Sequence, residues 1–123
     1  MRVHLVLAAA ASVVLTAAAP VHAQGRSDDR TAYRAIAASD LQTAERHLVA
    51  ERRIYPGRPE LMLNLAAVYA RTNRLAEARA LYADVLGRPA VDMDLASGKV
   101  VSSHRIAEQG RAMLDRGTAM AAR

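Results

Sequence analysis

Two aspartates one residue apart, followed by a Ser-Gly step, open the stretch Asp92-Met93-Asp94-Leu95-Ala96-Ser97-Gly98. Carboxylates at this spacing begin an EF-hand calcium loop, which also needs an oxygen ligand at its fifth position, glycine at the sixth and glutamate at the twelfth. Ala96, Ser97 and Ser103 occupy those places. The aspartates therefore read as solvent-facing residues of a strand, and no metal site is expected. Ser102-Ser103-His104 sets hydroxyls beside an imidazole, the elements of nucleophilic hydrolysis. Adjacent side chains rarely aim at one another, no G-x-S-x-G elbow is present, and a triad also needs a buried carboxylate and an oxyanion hole. A helix N-cap accounts for the serines better. His47 follows Arg46 on a helical stretch, and histidines this far apart form no zinc motif. No catalytic residue, metal ligand or cofactor is expected.

Composition narrows the field further. The 123 residues include no cysteine, which excludes a disulfide scaffold, a thiol nucleophile, a Cys-ligated zinc and a lipidated cysteine. Aromatics are limited to four tyrosines, too few for a stacking platform on single-stranded nucleic acid. The formal charge is +5, and Lys99 is the one lysine among 17 basic residues. The arginines are spread along the chain, which fits solvated helix faces better than a phosphate-binding patch.

The elements that must position any site begin after an expected export signal. Met1-Arg2 is a short positive start, Leu5–Ala19 an apolar run, Pro20 a break, and Val21-His22-Ala23 puts small residues at −3 and −1 of a cleavage point. The run is short for a bilayer span, which needs ~20 apolar residues. Residues 1–23 are thus expected to be a signal peptide, with Gln24–Arg123 secreted, to a bacterial periplasm, and carrying no transmembrane segment.

Beyond the signal the chain repeats itself. Leu41, Ala44 and Leu48 align with Leu75, Ala78 and Tyr82 at a constant offset of 34 residues. Both sets fall on one face of a helix. Each is preceded by another helical stretch, Asp29–Ala38 and Pro59–Arg71, and followed by a breaker, Pro56-Gly57 or Gly87-Arg88-Pro89. Short polar turns, Ser39-Asp40 and Thr72-Asn73-Arg74, force the paired helices to be antiparallel.

In this register Asn64-Leu65-Ala66-x-x-Tyr69, then Ala78, Tyr82 and Pro89, resembles the tetratricopeptide repeat. The resemblance implies small residues (Ala66, Ala78) where the two helices of a hairpin cross, and large ones (Tyr69, Tyr82) that lock the next helix. The second repeat, about 59–89, follows the pattern well. In the first, about 26–56, Ala35 stands for the tyrosine and Glu51 for a small residue. The expected architecture is all-α. Residues 26–89 form two antiparallel helical hairpins stacked as a short solenoid, 90–102 a small β-hairpin, and 103–123 a C-terminal capping helix and tail. The β-hairpin is read from alternation: Val91, Met93 and Leu95 interleave with Asp92 and Asp94 before a Ser-Gly turn. The capping helix is expected to start at Ser102 or Ser103, run to about Leu114 and end at Gly117.

Leu61–Ala70 contains a single polar residue, Asn64, so its helix must be covered on every side and is expected to be central. Glu60, Leu63, Asn64, Ala67 and Arg71 form one stripe along it, expected to be its exposed face. In the family that this chain resembles, such a stripe lines the concave surface where an extended peptide or partner helix docks. These five are the candidate partner-binding residues, Asn64 for a peptide backbone and Arg71 for a carboxylate. The expected function is a non-catalytic protein–protein interaction module or scaffold whose partner is another protein or a peptide. The stripe could also contact the C-terminal helix, or the chain could self-associate into a homo-oligomer. A binder of nucleic acid or anionic envelope components would instead use Arg52, Arg53, Arg58, Arg74 and Arg88, a reading that export disfavours.

Overall fold

The structure is a computed structural model and describes residues 35–95 and 97–122, together with the backbone of Val21–His22. The expected signal sequence and most of the first helix lie outside the described residues, apart from that strand and the helical end at 35–37. The described elements are α1 (Leu41–Ile54), α2 (Pro59–Arg71), α3 (Leu75–Leu86) and α4 (Ser103–Ala121), with strands β1 (Val21–His22), β2 (Asp92–Leu95) and β3 (Val100–Ser102).

Local chemistry sets the helix ends. Asp40 caps α1 by accepting from the Thr43 amide at 3.2 Å, and this bond holds its carboxyl below the usual aspartate range. Pro59 needs no N–H in the first turn of α2, where Glu60 meets the positive end of the dipole; Arg71 lies in the last turn. The α4 cap is Ser102, which accepts from the His104 amide.

The 34-residue repeat is visible in the backbone itself. Ser39 and Asn73, 34 apart, both turn left-handed, with φ of 60° and 61°. Ser39 N donates to Ile36 O and Asp40 N to Ala35 O; Asn73 N donates to Ala70 O and Arg74 N to Tyr69 O. Both are Schellman closures, each ending the first helix of a hairpin before the chain reverses. Side chains follow the same register. Ala44 and Ala78 are fully buried, Leu48 and Tyr82 nearly so, and Glu51 is buried at the position that Val85 fills in the second repeat.

As its composition demands, α2 is central: it packs against α1, α3, α4 and β1. Leu61, Met62, Leu65, Ala66 and Val68 are all at most 1% exposed. The architecture is the expected all-α one, two hairpins in register with a capping helix, but two details differ. The sheet has three strands rather than two, in the order β1-β2-β3 and antiparallel throughout, with Val21 opposite Leu95 and His22 opposite Asp94. Further, α4 does not stop at Gly117 but continues to Ala121. Arg79 of α3 binds Asp115 and donates to Thr118 Oγ1, and Thr118 Oγ1 donates to Leu114 O. These contacts hold the last turns across a glycine whose helical cost is only ~1 kcal/mol.

Candidate protein-binding site

Along α2 the five stripe residues share one strip, but they do not share one environment. Leu63 and Asn64, in the middle, are 3% and 8% exposed. Glu60, Ala67 and Arg71 are half-buried. At the N-terminal end Glu60 accepts from Arg58 Nε at 2.5 Å. At the other end Arg71 Nη2 donates to Ser39 Oγ at 2.9 Å and Nη1 to the Ile36 carbonyl at 3.3 Å, fastening α2 to the end of the preceding helix. The stripe is therefore not the exposed face expected: the elements packed around α2 bury Leu63 and Asn64, and only Ala67 and the two ends remain within reach.

The arginines proposed for a basic surface are mostly engaged within the fold. Arg74 is the clearest case. It pairs with Glu45 of α1 at 2.5 Å and Glu77 of α3 at 2.7 Å, and its guanidinium lies 4.0 Å from the Tyr69 ring centroid. One side chain thus ties the second hairpin to both of its helices and to the first repeat. Hydrogen bonds to Glu77 and Glu45 raise the Arg74 pKa, and the same contact holds the Glu77 carboxyl below its ordinary value. Arg58 binds Glu60 and approaches the Tyr55 ring, and Arg88 pairs with Asp84 at 3.2 Å.

Ser103 and His104 also have structural partners. Ser103 is fully buried; its amide donates to Val91 O, and its hydroxyl accepts from Val91 N at 3.0 Å. His104 Nε2 donates to the Arg88 carbonyl at 2.6 Å. Both residues tie the start of α4 to the chain just before β2, closing the base of the β2–β3 hairpin. Asp92 and Asp94 are exposed, and among the described residues no cluster of three or more His, Asp or Glu side chains could hold a metal ion. No helix among the described residues is long and apolar enough to cross a membrane.

One contact was not foreseen from the residues: β1 lies against α2 while pairing with β2. A two-residue strand distant in sequence from its neighbour leaves no periodic signal.

A family model of the tetratricopeptide repeat matches residues 35–97, just over half of the chain, and the chain belongs to that family. Such repeats generally mediate protein–protein binding. No curated protein and no solved structure matches the chain.

Proposed function

We propose that this protein is an exported, non-catalytic tetratricopeptide scaffold of the bacterial periplasm that holds another protein or an extended peptide on the α2 stripe. The observation that carries the reading is the 34-residue register, with matching Schellman closures at Ser39 and Asn73 and a family match over residues 35–97. A preformed helical surface binds by shape and apolar complementarity with little ordering cost. Ala67 offers a small-residue approach, flanked by the Arg58–Glu60 pair at one end of the strip and Arg71 at the other. The signal-like order Met1-Arg2, Leu5–Ala19 and Val21-His22-Ala23 supports export.

A photo-crosslinker at Ala67, compared with one at exposed Gln109 on α4, tests the surface. The expected result is an adduct with a second protein from Ala67 alone, in a chain whose circular dichroism is unchanged by the crosslinker. Equal labelling from both positions, or none from either, would remove the stripe as a partner site. Sedimentation over a range of concentrations separates a hetero-partner from a second copy of the chain.

A further inference from the structure

The sheet and the expected processing point meet at one place. Strand β1 ends at His22, and the expected cleavage follows Ala23, one residue later. Cutting there would leave Val21–His22 attached only to the excised leader, held to the fold by its pairing with β2 and its contact with α2. Two paired residues make a weak attachment, and the edge of β2 would be left with unpaired backbone groups, a ready template for another extended chain. Asp92–Leu95 contains no proline, so each residue of β2 keeps an amide and a carbonyl to offer an added chain, and its two aspartates would oppose an acidic one. Its core-side residue, Met93, is 4% exposed and joins the strand to the helical core. The outer side carries exposed Asp92 and Asp94.

We propose that the edge of β2, with α2 beside it, is a strand-docking site that Val21–His22 fills in the uncut chain. An extended segment of a partner protein, carrying a basic residue opposite Asp94, takes that place once the leader is removed. This rests on the protein-binding reading above and adds a mode to it: backbone pairing supplies affinity, and the acidic outer face selects the sign of the incoming side chain. In the register of the uncut chain His22 stands opposite Asp94.

Alternation along β2 provides the assay. The Leu95 amide donates inward to Lys99 O, so the Asp94 amide faces the β1 side. The full chain is compared with the double variant Val21→Pro/His22→Pro, in which β1 cannot donate to the edge. Amide exchange at Asp94 is expected to quicken about tenfold or more in the variant while Leu95 is unchanged. Adding a synthetic peptide of residues 17–24 with His22→Lys should restore the Asp94 protection, and the matching His22→Glu peptide should bind several-fold more weakly. Unaltered Asp94 exchange in the variant, or equal affinity for the two peptides, overturns the proposal. A variant that sediments as a dimer with Asp94 protected also overturns it, because a second copy then fills the edge. Loss of the Ala67 crosslink with the edge intact would count against the stripe alone, so the two readings fail separately.

Discussion

Gly110 is buried on α4 because the ring of Tyr82 from α3 occupies the space a side chain would need. A Cβ at residue 110 would lie 2.6 Å from Cε1 and 2.7 Å from Oη of that ring. Tyr82 is only 2% exposed and has no room to retreat. Gly110→Ala is therefore expected to destabilise the protein by about 1–3 kcal/mol through overpacking, against the small gain that alanine brings to an open helix. Urea denaturation measures it, and a stabilised variant would show that the two helices are not in such close contact. Burial also pushes the Tyr82 hydroxyl up to about 12, from an ordinary 10. Because the folded chain holds this proton more tightly than the unfolded one, its contribution is complete below pH 10 and is lost as pH rises toward 12. Two units correspond to roughly 2–3 kcal/mol. Tyr82→Phe is expected to flatten the alkaline fall of stability measured by denaturation between pH 9 and 12.

Between elements, the two hairpins are joined by a small number of polar contacts at equivalent turns. Arg74 holds Glu45, Glu77 and the face of Tyr69 together, a combination of paired bonds and ring stacking that a lysine cannot reproduce. Arg74→Lys is expected to lower the melting temperature nearly as far as Arg74→Ala, and added salt should narrow the gap between wild type and both variants. Full recovery in the lysine variant would mean that charge alone matters there. The left-handed backbone at Asn73 leads to a second expectation. A β-branched side chain is strained at φ 61°, so Asn73→Val should cost about 1–2 kcal/mol, whereas Asn73→Gly should cost little or nothing. Thermal melts of the pair check the difference.

At the scale of the molecule, α2 packs against α1, α3 and α4, and the described buried residues form one core cluster. Repeat proteins gain stability from neighbour interfaces; here α2 takes part in those with α1, α3 and α4, and α3 packs directly on α4 as well. Unfolding is expected to be a single transition that circular dichroism and tyrosine fluorescence report alike. Leu65→Ala, which empties a site only 1% exposed, should cost about 2–5 kcal/mol, a large part of the stability of a domain this small. Two separated transitions would show that the hairpins fold independently.

The residues alone established the helical periods, the 34-residue offset, the antiparallel pairing imposed by short turns, and the burial of Met62, Leu65, Ala44 and Ala78. All of these follow from local spacing and from the need to cover an apolar helix. The candidate stripe was legible as a row of positions but not as an environment. Whether Leu63 and Asn64 lie open or buried depends on which neighbours reach α2, and spacing along one helix carries no information about that. The same holds for Gly117, where Arg79, distant in sequence, reaches Asp115 and Thr118 and carries the helix past a residue that usually ends one. The third strand was beyond reach for a related reason. Val21–His22 becomes a strand only because β2, more than seventy residues away, offers it an edge; such pairing is fixed by contacts that exist only once the helices have packed.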